Sequence, residues 1–420
     1  MKKRLALIVV SLIAVFLVFY QFTFIPKYLA FDEVEFTKLA LSLDGKPYSP
    51  YSQLATGHST MYFYILLTSI KTFGINVFAL RFPAAVFGIL SIILFYLIIK
   101  EFKHFELLIK KYNILPFLLT LILLTSRWFI NFSRFSFEPT FLLFLELTSI
   151  YFLLRAMIPK AVSSFNLIIS GIFAGLAFNS YTPGRIFFLL PLGFLVFKLV
   201  NSLTRKLNNK IVEYLLYFLI SFIIIIIPLT SYFLTHQDSR IDQLFFWRNH
   251  EMTIQQKVSG TLQNISSLSF MFFYKGDMNG RHNYPGKPAL NPILAGLFLI
   301  GLFISLKNYR KDFNIFFIAY FLISVAPSIP IYPWENPSML RTFTMIPSLV
   351  YFIGIAVVNL SKKIKPRFYF LIFLVIFLSS FYELRTYFKY QSKVFESSFE
   401  IKHPLEKAIK MKNVYEKVNQ

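Results

Sequence analysis

No cysteine occurs among the 420 residues. That excludes disulfides, thiolate metal sites and cysteine nucleophiles together, so any chemistry here rests on oxygen, nitrogen and charge. Carboxylates are scarce, with 20 Asp and Glu against 43 Lys and Arg. Charged residues make up only 15% of the chain and hydrophobic ones 56%, far from the soluble balance of about a quarter charged and half apolar. No polar stretch of ordinary domain size lies between the apolar runs. The net charge of +23 does not gather into one basic patch or domain, so it does not mark a nucleic-acid surface. Internal repeats and low-complexity linkers are missing as well, and with them the paired broken half-helices of many transporters.

What is present is a series of apolar runs of roughly 20 residues, the length that crosses a bilayer. Lys2, Lys3 and Arg4 precede a run from Leu5 to about Ile25, too long for the apolar core of a signal peptide and without a small-x-small cleavage site, which predicts a retained helix running outward. Residues 26–60 then form an exterior loop, followed by Met61–Phe73, too short to span alone. Further runs at 77–99, 114–131, 138–157, 165–181, 185–200 and 212–234 precede a long polar exterior loop at 235–289, and four more follow at 290–306, 313–330, 341–360 and 368–382. The inner junctions carry Lys100, Lys103, Lys110 and Lys111; Arg155 and Lys160; Lys198, Arg205, Lys206 and Lys210; Lys307, Arg310 and Lys311; and Lys362, Lys363, Lys365 and Arg367. About eleven spans satisfy the positive-inside rule at every inner junction. The expected architecture is an all-α, polytopic membrane protein with its N-terminus cytoplasmic, exterior loops carrying short juxtamembrane helices, a membrane domain over 1–384 and a short exterior tail over 385–420.

Polar residues sort sharply by side. Inner loops hold mostly Lys and Arg, whereas outer loops hold acids, Arg, His, Tyr and Asn, so function is expected to face outward. The densest acidic segment, Phe31-Asp32-Glu33-Val34-Glu35-Phe36, follows directly after the first run. Asp32-x-x-Glu35 reads as a capping box, which leaves Glu33 unexplained and is compatible with catalysis. Glu138 opens a span, where an ionisable group is costly and marks a functional site by default; pairing with Arg134 four residues earlier is the bland alternative. The remaining outer candidates are His58, Tyr181, Arg185, Asp277, Arg281, His282 and Arg341. No metal-ligand spacing of the usual kind is present. No cofactor is called for, although the acids leave room for a divalent cation.

The acidic motif after the first helix resembles the Asp-Glu motif in the first exterior loop of the protein O-mannosyltransferases and the related lipid-phosphate-sugar-dependent glycosyltransferases of the GT-C fold. Gly57-His58-Ser59, Arg81-Phe82-Pro83, Ser133-Arg134-Phe135-Ser136-Phe137-Glu138 and Tyr181-Thr182-Pro183-Gly184-Arg185 are similar to later segments of that family. So are Gly276-Asp277 through Pro285-Gly286 and Pro333-Trp334-Glu335 to Arg341, in order over nearly all of the spanning region.

The resemblance implies an inverting transfer of a sugar from a polyprenyl-phosphate donor in the outer leaflet of the plasma membrane to a lipid, glycan or protein acceptor. In that reading Asp32 is the general base and Glu33 assists. Arg134, Arg281, His282 and Arg341 hold the donor phosphate, and Glu138, His58 and Tyr181 contact acceptor or sugar. Membrane lipids are the other partners, and no nucleic acid is expected. A transporter or lipid flippase is the alternative, which would place charges along a path near the bilayer midplane; Glu146 is the main exception to nearly charge-free span centres. A membrane scaffold would leave the outer acids and arginines without a purpose.

Overall fold

In a computed structural model of the protein, residues 3–102, 114–157, 163–204 and 210–411 are described. The inner basic residues Lys103, Lys110, Lys111, Lys160, Arg205 and Lys206, and the tail beyond Met411, lie outside them. The fold is all-α. Among the described residues six helices are long and apolar enough to cross a membrane: Val77–Lys100, Pro139–Ala156, Thr182–Asn201, Val212–Thr235, Phe343–Ser361 and Tyr369–Ser398. Shorter apolar helices at Leu5–Phe19, Leu115–Thr125, Ser164–Phe178, Pro292–Lys307 and Asp312–Ser328 fall on the remaining expected runs, consistent with the expected spans. Two antiparallel strands of two residues each, pairing Tyr51 with Ser59 and Ser52 with His58, form a small ribbon.

The first four helices show how local sequence builds the end of the molecule that matters. Helix α1 (Lys3–Phe19) stops six residues short of the end of its apolar run. Carbonyls at a helix C-terminus lack intrahelical partners, and the chain just beyond adds Ile25 O and Gln21 O, the latter also accepting from Phe24 N and Ile25 N. Arg134 takes them: Nη1 donates to Leu17 O and Val18 O at 3.0 and 2.9 Å, and Nη2 to Gln21 O and Ile25 O at 2.9 and 3.1 Å. Its remaining N–H, on Nε, is buried. The expected role of Arg134 in holding a donor phosphate is therefore corrected: its donors are committed to backbone.

Helix α2 (Phe31–Ser42) begins with Asp32 and Glu33 in its first turn, where carboxylates oppose the positive end of the helix dipole. Helix α3 (Met61–Phe73) matches the expected short run. Helix α4 (Val77–Lys100) starts at Asn76, whose side chain accepts from Ala79 N, and it contains Pro83. Proline has no N–H to offer the carbonyl four residues back. That orphan, Ala79 O, accepts from Ser69 Oγ of α3 at 2.6 Å, so one defect ties two helices together. Deeper in the bundle, the Ser164–Phe178 helix meets Lys210–Thr235 along Gly171 and Gly175; a Cβ on Gly171 would lie 2.4 Å from Phe218 O, the small-residue contact that lets membrane helices approach closely.

The Tyr369–Arg385 helix runs on through a π-helical turn at Thr386–Gln391 into Ser392–Ser398. Phe399, Ile401, Leu405 and Ala408 beyond it are buried. The segment expected as a short tail thus packs on the body up to Met411, because its apolar residues recur often enough to find a face there.

With four carbonyls resting on one guanidinium, replacing Arg134 by Leu is expected to destabilise the fold by about 3 kcal/mol or more. A lowered midpoint of thermal unfolding in detergent checks this, and donor affinity of the folded fraction should be unchanged.

Candidate active site

Helix starts and loops converge at one end of the bundle around a polar cavity of about 360 Å³. Its walls include Asp32 and Glu35 from α2, His58 from the ribbon, Glu138 and Tyr181 from helix ends, Arg240, Arg281 and His282 from the 235–289 loop, and Glu335 and Arg341. Of the residues expected from sequence, Asp32, His58, Glu138, Tyr181, Arg281, His282 and Arg341 meet here; Glu33 and Arg134 do not.

Glu33 sits one residue from Asp32 and points the other way. It is fully buried and bound bidentately by Arg81, with Nε to Oε1 at 2.8 Å and Nη2 to Oε2 at 3.0 Å. Ser136 N also donates to Oε1, and Ala30 N to Oε2. The Ala30 contact is the capping interaction of α2, so the cap belongs to Glu33 rather than to Glu35. Arg81 in turn donates to Pro26 O and Tyr28 O. The expected catalytic assistance of Glu33 is corrected accordingly: its carboxylate joins α2, α4 and the 133–138 turn, and no oxygen faces the cavity.

Asp32, by contrast, is partly open to the cavity. Its Oδ2 accepts from Arg281 Nη1 at 2.6 Å, which fixes the carboxylate and leaves Oδ1 for a ligand. Asp277 organises the loop that brings Arg281: it accepts from Asn279 N and from Met339 N, each at 2.8 Å, and pairs with His282 Nδ1 at 3.1 Å. Arg341 pairs with Glu335 at 2.9 Å. Arg127, at the edge of this loop, donates to Asn283 Oδ1 and to Pro288 O and meets Glu383, which makes it a brace.

Glu138 pairs with His58 Nδ1 at 2.8 Å and not with Arg134, since the 133–138 segment is a turn and not a helix. Glu138 lines the cavity, while its second oxygen, Oε2, is buried with no hydrogen-bond partner among the described residues. Burial first, and then the Glu138 charge, push the Tyr181 hydroxyl up to about 12, so it remains a hydrogen-bond donor at neutral pH. Glu146, the acid noted in mid-span, accepts from Tyr320 Oη at 2.7 Å and is buried.

Arg240 is the functional candidate that sequence reasoning missed. Asp238 caps its helix, Ser239–Leu244, by accepting from Arg240 N and Ile241 N, and is itself held by Tyr51 Oη and Arg185. The Arg240 side chain reaches Thr56 Oγ1 and has no acid partner among the described residues. An arginine in an exterior loop, against the trend of the other cations, was the available signal. Behind it lies a second, apolar cavity of about 340 Å³, lined by Pro183, Ile186, Ile241, Phe245, Pro330 and Ile331 among others. Tyr181, Arg240, Leu244 and Arg341 line both cavities. Among the described residues no three His, Asp or Glu side chains are grouped to hold a metal ion.

This architecture is the GT-C fold of membrane glycosyltransferases. ArnT from Cupriavidus metallidurans bound to undecaprenyl phosphate superposes with a TM-score of 0.57 at 13% identity over 96% of this chain and 76% of that one. Its apo form gives 0.53 at 15% identity over 87% and 60%. The archaeal oligosaccharyltransferase AglB from Archaeoglobus fulgidus, in complex with an inhibitory peptide and a dolichol-phosphate, gives 0.50 at 14% identity over 94% and 56%. The chain thus spans only about 60% of the apo ArnT chain. A comparison with curated protein sequences gave no match. Residues 57–232 match the family model of the dolichyl-phosphate-mannose-protein mannosyltransferases, and the chain is related to that family through this segment, which carries His58, Arg81, Glu138 and Tyr181.

Two outcomes follow from the geometry. Glu33→Gln leaves Arg81 charged, buried and unmatched, which should cost about 3–5 kcal/mol, whereas Asp32→Asn, at a partly exposed pair, should cost less than about 1 kcal/mol; thermal unfolding of the two purified variants distinguishes them. For Asp238, burial alone would raise the carboxyl, but Arg185, Tyr51 and the helix amides together hold it below its ordinary value. A depressed folded-state value contributes stability above the unfolded-state pKa of about 4 and loses it as pH falls through the folded value. The difference in unfolding midpoint between wild type and Asp238→Asn should therefore be constant near neutrality and shrink below about pH 4.

Proposed function

We propose that the protein is an inverting glycosyltransferase that takes a sugar from a polyprenyl-phosphate donor on the extracytoplasmic face of the plasma membrane. The observation that carries this reading is the sharing of Tyr181, Arg240, Leu244 and Arg341 between a polar cavity and an apolar one. A ligand with a charged head and a hydrocarbon tail fits that pair of spaces, with its phosphate at the two guanidiniums on the boundary. Planar guanidinium groups match phosphate oxygens and stabilise the charge that grows on the leaving group.

In the reaction, Asp32 Oδ1 takes the proton of an acceptor hydroxyl, and the acceptor oxygen bonds to the anomeric carbon from the face opposite the phosphate. The bond from that carbon to the phosphate oxygen breaks, and its electron pair leaves with the polyprenyl phosphate. The proton on Asp32 passes to water. Arg281 keeps the carboxylate aimed, and Glu138 and Tyr181, on the cavity wall, hold hydroxyls of sugar or acceptor. Lipid headgroups, glycans and protein hydroxyls are all chemically suitable acceptors.

Chain order supports the orientation. The cavity residues Glu138, His282 and Arg341 precede Pro139–Ala156, Pro292–Lys307 and Ile346–Ser361, whose other ends carry Arg155, Lys307 and Lys362. By the positive-inside rule those ends are cytoplasmic, as is the N-terminus. Glu146, the acid in mid-span, is buried and bonded to Tyr320, an arrangement that lends transport no support.

Membranes supplied with several radiolabelled polyprenyl-phosphate sugars should transfer one label to an acceptor. Asp32→Asn should lower the rate by about 10²–10⁴-fold while leaving the protein folded, and Arg240→Ala should raise the KM for the donor by about tenfold. Near wild-type turnover by Asp32→Asn would remove the base assignment. Lipid-sugar movement across reconstituted vesicles without product would favour a flippase.

A further inference from the structure

We infer that residues 392–411 are a clamp that sets the Asp32–Arg281 pair, and that Gly280 is the positioning residue through which the clamp acts. The inference rests on the reading of Asp32 as the base.

The clamp touches both halves of the pair from behind. On the Asp32 side, Leu29 and Ile401 exchange both backbone hydrogen bonds at 3.1 Å, two residues before α2 begins. The Leu405–Lys410 helix lies along α2, with Leu405 and Ala408 buried. Phe399 stands edge-on to Phe135, with centroids 5.5 Å apart, and 5.9 Å from the Arg81 guanidinium carbon, so it covers the group that holds Glu33. On the Arg281 side, the Ser392–Ser398 helix presses on the loop at Gly280. A Cβ there would lie 2.0 Å from Ser398 Oγ, 2.9 Å from Val394 Cγ1 and 3.0 Å from Ser398 Cβ. Rotating the serine hydroxyl relieves only the first of these. Phe395 and Phe399 bury the other side of the helix, so the loop is what must give.

The next residue in that loop is Arg281, whose Nη1 holds Asp32 at 2.6 Å. One segment, far from both in sequence, thereby fixes the helix that carries the base and the loop that aims it. Reactive geometry is sensitive on this scale, since a displacement of about 1 Å can cost a hundredfold in rate.

The test uses the full chain. Gly280→Ala should lower kcat by about a hundredfold with the donor KM changed less than about threefold. Adding Ser398→Gly, which removes two of the three contacts, should restore most of the rate. Ser398→Val alone, pressing from the other side without touching the loop, should reproduce the loss. Wild-type kcat in both Gly280→Ala and Ser398→Val would overturn the inference, as would a loss that Ser398→Gly fails to relieve.

A readout independent of transfer comes from the absence of cysteine. Residues facing each other in a hydrogen-bonded antiparallel pair have Cα atoms about 5.5 Å apart, within disulfide range. Leu29→Cys/Ile401→Cys should therefore close a single bridge under mild oxidation, seen as loss of both thiols. Failure to close it would show the clamp undocked and overturn the inference, even with transfer intact. Closure in a protein that transfers no sugar would support the docked clamp and count against the proposed function instead.

Discussion

A carboxylate removed from water must be met by charge and by hydrogen-bond donors, or it takes up a proton. At Glu33 the demand is met in full: a bidentate guanidinium and two backbone amides surround its oxygens. Because the four groups come from α2, α4 and the turn before Glu138, satisfying one buried charge fixes three segments relative to one another. Arg81 extends the arrangement to the carbonyls of Pro26 and Tyr28, so the chain entering α2 is held as well. Asp32 inherits its position from this centre without taking part in it.

The cavity walls follow the same economy. Arg281 is committed to Asp32 and Arg341 to Glu335, while Arg240 meets only a hydroxyl. Among the described residues Arg240 thus has no acid partner and Arg341 has one, both on the boundary between polar and apolar space; in the proposed reaction these are the two groups that would meet a donor phosphate. Asp277 and Arg127 do their work one step back. Each joins backbone and side chains of the exterior loop, which turns a 55-residue connection into a wall with a defined inner face.

Sequence periodicity and charge placement carried the membrane architecture, because crossing a bilayer imposes length and polarity on every span alike. The short run at Met61–Phe73 was legible to the residue. Many of the cavity's lining residues were legible too, since acids, histidines and arginines in the loops expected outside had no topological reason to be there. What sequence could not supply was direction. Asp32 and Glu33 are neighbours on a helix that turns about 100° per residue, and nothing in their order says which one faces the cavity. Arg134 and Glu138 have helical spacing but lie on a turn, so the spacing misled. Arg240 escaped because its significance comes from Tyr181 and Arg341, distant in the chain and adjacent only after folding. The packing of the segment beyond Arg385 escaped because its few apolar residues cannot make a core of their own and the surfaces that cover them, α2 among them, are distant in the chain.

The boundary between the two cavities gives the proposed reaction an unusual dimensionality. A carrier lipid meets the protein by sliding sideways in a two-dimensional sheet, where abundance is counted per unit area, whereas an acceptor drawn from water arrives in three dimensions. The spent carrier departs by the sideways route that its successor uses. In the proposed reaction the supply of donor is then set by its density in the sheet, and only the supply of a water-borne acceptor by a volume concentration.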